Sequence, residues 1–211
     1  MKILALEFSS ERRAVAVLDG VSLCRATAAI GHTPSAMEMV EEVLRQAAWQ
    51  REDIECIAVG LGPGSYTGIR MTIALAQGWA LARGVKLLGV SSAEVLAATA
   101  RAVGLRGLIR LEIDAQRGDF YRADYELSAT AESLIEPLKI VGRDELLQSF
   151  NGTIVGPEAD LLGGTQLFPD AAQLGLLANK RADFVSGESL EPIYLRETSF
   201  VKASPPRVLP V

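Results

Sequence analysis

Three short apolar runs, followed by a regular alternation of strand-like and helix-like segments, narrow the fold of this chain more than any other feature of its 211 residues. Residues 2–8, 14–18 and 21–27 read as strands, and Asp19-Gly20 between the last two is a strong hairpin signal, so the chain opens on three antiparallel strands. Thr33-Pro34 predicts an N-cap followed by proline at the first helical position. Met37, Val40, Val43, Leu44 and Ala47 then recur at helical spacing, with Glu38, Glu41 and Glu42 toward the positive end of the helix dipole and Arg45 toward the negative end. From residue 54 the pattern changes to strand 54–60, helix 67–83, strand 85–90 and helix 92–102. Strands separated by helices pair in parallel through crossover connections, which makes the class α/β.

A faint internal repeat accompanies this order. Residues 6–12 align with 111–117 at an offset of 105, with Leu6, Glu7 and Arg12 recurring as Leu111, Glu112 and Arg117. In each copy a strand enters a tight turn before a second strand. A duplication would place the boundary near 103–107, where Gly104 and Gly107 bracket Leu105-Arg106, dividing the chain into lobes 1–103 and 104–211. The second half then reads as strands 108–113, 120–126 and 135–141, a short helix 143–150, strand 153–155 and a helix over 171–180. Beyond Ser186 a Pro-rich tail is expected to follow the surface.

Composition removes several functions. With 49% apolar residues the chain can bury a full core, and a net charge of −5 does not suit a protein that wraps nucleic acid by itself. The most apolar window, 71–82, contains Gln77 and Gly78 and is shorter than the roughly 20 residues of a membrane span. With no secretion signal at residues 1–10, the expected location is the cytoplasm. Cys24 and Cys56 sit in apolar runs and read as free thiols. His32 is the only histidine, and it reads as a residue near the helix start. One histidine and two separated cysteines do not supply a zinc site, and a Gly-x-Ser-x-Gly elbow for a hydrolytic triad is missing.

The sharpest motif is Gly62-Pro63-Gly64-Ser65-Tyr66-Thr67-Gly68-Ile69-Arg70, between a strand and a long helix. Glycines before a helix N-terminus let backbone N–H groups approach an anion. The motif lacks the Gly-Lys-Ser/Thr of a Walker loop, and Thr67 stands where a dinucleotide fingerprint needs its third glycine. Two readings stay open: an anion-binding loop, or a tight turn in which Gly62 and Gly64 supply unusual dihedrals and Thr67 caps the helix. Within that helix Ala74, Gly78 and Ala82 leave one face almost without bulk, suited either to the chain's own core or to a second subunit. Asp114-Ala115-Gln116-Arg117-Gly118 reads as a polar hairpin turn, Asp114 and Arg117 pairing carboxylate with guanidinium.

Residues 62–70 resemble the GPGSFTGLR-type signature of the TsaB (YeaZ) family. Residues 3–10, Gly31-His32, 114–121 and Pro192-Ile193-Tyr194-Leu195-Arg196 are similar to that family's other motifs, so the likeness spans residues 2–196. The resemblance implies the duplicated actin-like ATPase fold (ASKHA, ribonuclease H-like) and a non-catalytic subunit of tRNA N6-threonylcarbamoyladenosine biosynthesis. Such a subunit pairs with the catalytic TsaD, helps recruit the ATPase TsaE and meets tRNA only through the complex. No tightly bound cofactor is implied, and ATP or ADP is expected only at the interface of the assembled complex. The partner surface is expected on Met37, Val40 and Leu44 of the first helix and Ala74, Gly78 and Ala82 of the next, with a homodimer competing for the same face. This chain departs from the pattern at Glu7, where aspartate is common, and at Thr33-Pro34. The rival is a stand-alone nucleotide- or anion-binding phosphotransferase of the same fold. It would need metal-binding acids at both hairpin turns, and Ser9 and Ser10 are a poor substitute in the first.

Overall fold

The computed structural model of the chain describes residues 1–30, 34–146 and 149–196. Gly31, His32 and Thr33, on which the start of the first helix was expected, lie outside the described residues. So do Leu147 and Gln148 of the expected helix 143–150 and the tail beyond Arg196. Among the described residues, ten strands form two five-stranded sheets. The first takes β1 (Lys2–Glu7), β2 (Arg12–Asp19), β3 (Ser22–Ile30), β4 (Cys56–Gly60) and β5 (Lys86–Val90) in the order β3-β2-β1-β4-β5. The second takes β6 (Gly107–Asp114), β7 (Phe120–Leu127), β8 (Glu132–Val141), β9 (Thr153–Gly156) and β10 (Thr165–Gln166) in the order β8-β7-β6-β9-β10. In both, three antiparallel strands are followed by two added in parallel, so one plan is used twice, as in the duplicated actin-like ATPase fold.

The ladders fix the correspondence. Leu6 pairs with Val59 and Leu111 with Val155, which carries the offset of 105 into three dimensions. The next residues along, Glu7 with Gly60 and Glu112 with Gly156, are therefore counterparts. The second hairpin is longer, since Glu7 faces Ala14 whereas Glu112 faces Arg122.

The helices are α1 (Ala36–Ala47), α2 (Tyr66–Arg83), α3 (Ser92–Ala102), α4 (Arg143–Leu146) and α5 (Ala171–Ala178). The N-cap of α1 is Ser35, not Thr33: its hydroxyl accepts from Glu38 N–H while the Glu38 carboxylate accepts from Ser35 N–H. This capping box satisfies two otherwise unpaired donors, which a proline at the helix start does not, and it leaves Pro34 outside the helix. Likewise Ser65, not Thr67, caps α2, accepting from Gly68 N–H. Both cysteines are free. No helix of the described residues is long and apolar enough to cross a membrane.

Side chains alternate along β1, so each face of the first sheet has its own core. Leu4 and Leu6 join Val15, Val17, Met39, Val40, Val43, Ile57 and Ile73 beneath α1 and α2. Ile3 and Ala5 join Ala16, Leu18, Ala58 and Leu88 beneath α5, with Val95 and Ala98 of α3. Other residues of α3, Leu96, Ala97 and Ala100, pack on Ile109, Leu111, Ala123 and Leu127 of the second sheet. Packing thus crosses the chain's midpoint in both directions. The segment after α5 does more than follow the surface: Val185 N–H donates to Leu87 C=O, and Leu190 is buried in the first core.

Candidate functional site

The two hairpin turns face a shared cleft of 440 Å³, walled by Ser9, Ser10 and Glu11 from the first turn, Arg13 from β2, residues 64–67 from the signature loop, and Asp114, Gln116 and Glu158 from the second half. Its shape follows from Glu7. This carboxylate is fully buried, accepting from Ser9 N–H at 2.9 Å and from the Ser92 hydroxyl at 3.0 Å. The Ser92 oxygen in turn accepts from Gly62 N–H at 3.0 Å, and Ser92 N–H donates to Gly62 C=O at 2.7 Å. One acid therefore ties the end of β1 to the signature loop and the start of α3. Burial pushes the Glu7 carboxyl above its ordinary value, against the hydrogen bonds from Ser9 and Ser92 and with a small contribution from Asp170.

The signature glycines serve contact within the chain. A side chain at Gly64 would overlap the Ser9 carbonyl, one at Gly68 the Phe8 carbonyl, and one at Gly60 the Glu7 carboxylate. Gly62 and Gly64 hold φ of 88° and 139°, a region favoured by glycine, as the tight-turn reading requires. Ser65 N–H donates to Ser9 C=O at 2.7 Å. The N–H groups of Gly62, Ser65 and Gly68 are thus committed within the chain, to Ser92, Ser9 and Ser65. Pro63 is buried, whereas Thr67 is exposed at the cleft wall. Arg70 joins the loop to the C-terminal segment: its Nε donates to the Tyr194 hydroxyl at 2.9 Å, and its guanidinium lies 4.3 Å from the Tyr66 ring centre.

In the second turn Asp114 accepts from the backbone N–H of Gln116 at 2.8 Å and from its side-chain amide. The guanidinium expected to pair with acid here is not Arg117, which is exposed on the turn at φ 62°, but Arg196, whose Nη2 donates to Asp119 at 2.8 Å. Glu158 is half-buried beside it; burial, then the charges of Asp114 and Glu11, push its carboxyl up, against the N–H bonds from Asp114 and from its own backbone. Glu158 and Ser92 were not picked out from the sequence. The repeat held the signal for Glu158, which stands two positions after Gly156 as Gly62 stands after Gly60. No group of three His, Cys, Asp or Glu side chains among the described residues is arranged to hold a metal.

The residues expected at a partner surface separate into two sets. Val40 and Leu44 belong to the chain's own core, because α1 turns them onto the first sheet, and they are not available to a partner. Met37 is half-buried beside Leu75, Trp79 and Ala82 in a groove of 400 Å³ between α1 and α2. Ala74, Gly78 and Ala82 are exposed, and nothing lies within 4 Å of where a Gly78 side chain would begin. Leu81 beside them is 91% exposed.

Comparison with known proteins gives a consistent picture. A family model described as "TsaD: tRNA N6-adenosine threonylcarbamoyltransferase" matches residues 4–151. The chain is 30% identical to the tRNA threonylcarbamoyladenosine biosynthesis protein TsaB of Escherichia coli (strain K12), over 97% of this chain and 99% of that one. It is 26% identical to the TsaB protein of Haemophilus influenzae over 98% of each chain. The solved structure of YeaZ from Pseudomonas aeruginosa superposes with a TM-score of 0.81 at 25% identity, covering 92% of this chain and 99% of that one.

Proposed function

The chain belongs to the TsaB (YeaZ) family, and from that premise we propose that it serves tRNA threonylcarbamoyladenosine biosynthesis as a non-catalytic subunit. In this reading it binds the TsaD subunit, holds it in a competent conformation and helps recruit the ATPase TsaE. It meets tRNA only through that complex, in the cytoplasm. The observation that carries the reading is the open face of α2, where Ala74, Gly78, Leu81 and Ala82 stand in solvent beside the Met37–Trp79 groove. Small residues in a row admit a partner helix closely, and an exposed apolar patch marks an interaction site. A second copy could occupy the same face when the partner is absent.

The cleft supports a structural role. The carboxylate at the end of β1, Glu7, is turned inward and hydrogen-bonded to Ser9 and Ser92, so a phosphotransferase would have no acid from β1 to offer a metal. The Ser92 hydroxyl, which touches a carboxylate, is fully buried and out of a peptide's reach, which argues against proteolysis. No cofactor is tightly bound, and ATP or ADP enters only at the interface of the assembled complex. Depletion of this protein should leave adenosine 37 of the substrate tRNAs unmodified, and extra TsaD should not restore the modification. A bias of about 3 kcal/mol between two states of a partner changes its active fraction by up to roughly a hundredfold. Mass spectrometry of tRNA nucleosides decides the matter: normal threonylcarbamoyladenosine in depleted cells lacking a second family member rules the role out.

A further inference from the structure

We propose that residues 190–196 form a latch between the two halves, setting how far the cleft between the hairpin turns can open. The segment is fastened to the first half at three successive points. Leu190 is buried in the core beneath α2, Ile193 N–H donates to Leu61 C=O at 2.8 Å, and Tyr194 is held by Arg70 with its ring 6.0 Å from that of Tyr66. Two residues later the chain reaches the second half, where Arg196 Nη2 lies 3.2 Å from Ala115 C=O, 3.3 Å from Gln116 C=O and 2.8 Å from the Asp119 carboxylate. Three acceptors of one turn thus converge on one side chain of a segment that belongs to the second half in sequence but is packed against the first.

The turn it grips has reason to need a brace. Gln116 and Arg117 both hold left-handed dihedrals, φ 65° and 62°, without being glycine. Across the cleft, Glu11 and Arg13 of the first half face Asp114 and Glu158 of the second, so charges of both signs line the gap that the latch spans. The halves also meet through α3 and α5 between the sheets. The latch acts instead at the turns, beside Tyr66 and Gln116 of the cleft wall. Its ion pair is about one-third exposed on each side (34% and 33%), so its effect lies in fixing a geometry rather than in large stability.

Spin labels at Thr67→Cys and Asp160→Cys, both exposed and on opposite halves, report the opening by pulsed electron resonance in the full chain carrying Cys24→Ser. Arg196→Ala should lengthen and broaden the distance distribution, and Arg196→Lys should do so less. Asp119→Asn, which weakens the same contact from the other half, should shift it in the same direction and covers the case in which Arg196→Ala does not fold. The Ile193 amide should also lose protection from hydrogen exchange in Arg196→Ala, an effect that a brace local to the turn would not produce. An unchanged distribution in a folded Arg196 or Asp119 variant overturns the latch.

Discussion

Glu7 spends its charge inside the protein, and that makes it a pH reporter. The native chain keeps the Glu7 proton to higher pH than the unfolded chain, whose value lies near 4.5, so between the two the native state binds more protons. Stability contributed by this residue is therefore present below that window and falls as pH rises through it. Glu7→Gln keeps the hydrogen-bonding shape and removes the ionisation; its midpoint of urea unfolding should exceed the parent's at pH 7–8 and converge with it near pH 4. A variant that loses stability equally at every pH would mean that the buried carboxylate, not its proton, holds the network. Gly64→Ala should cost about 3 kcal/mol or more, because a side chain there meets the Ser9 carbonyl and the backbone sits at φ 139°. Thermal unfolding checks this, and a change of less than about 0.5 kcal/mol contradicts it. At this scale the sequence named the right glycines and left their purpose open. A Gly-rich stretch before a helix looks the same whatever it admits, and it takes the fold to show that Gly64 and Gly68 make room for the Ser9 and Phe8 carbonyls.

Among the elements, α2 carries the most information. Its inner residues Ile69, Ile73 and Ala76 are buried, while Ala74, Gly78 and Ala82 are open, so glycine in mid-helix is not explained by packing within the chain. Gly78→Ala should raise the stability of the isolated protein by about 1 kcal/mol, the helix-propensity difference, since the added methyl meets nothing. Gly78→Leu should leave the fold intact yet abolish pairing with the TsaD subunit and with a second copy, read by size exclusion and co-purification. Retained pairing in the folded variant would move the interface elsewhere. Nearly every strand and helix was legible, because period-2 and helical spacing are local properties. The caps slipped by two residues, from Thr33 to Ser35 and from Thr67 to Ser65, because several hydroxyls competed and reciprocal bonds such as Ser35–Glu38 decide. Val40 and Leu44 were misassigned to a partner because helical periodicity marks an apolar face without saying what covers it.

As a whole the molecule is two copies of one sheet plan that exchange helices: α3 of the first half lies on the second sheet, and α5 of the second half lies on the first. The repeat at 105 announced the copies, but no local pattern shows where an apolar helix docks across so many residues. We propose that the halves are lobes of one folding unit rather than independent domains. A fragment of residues 1–103 leaves Ile3, Ala16, Leu18 and Leu88 without α5, so it should be unfolded or aggregated alone and recover native circular dichroism when mixed with 104–211. A sharp cooperative melt from the first fragment by itself would refute this. The same exchange constrains birth on the ribosome. The first sheet is complete in the nascent chain once Val90 has emerged, yet the helix that covers its second face ends at Ala178. At 5–20 residues per second that apolar surface waits roughly 4–18 s for its cover, long enough to make the growing chain a client for holdase chaperones.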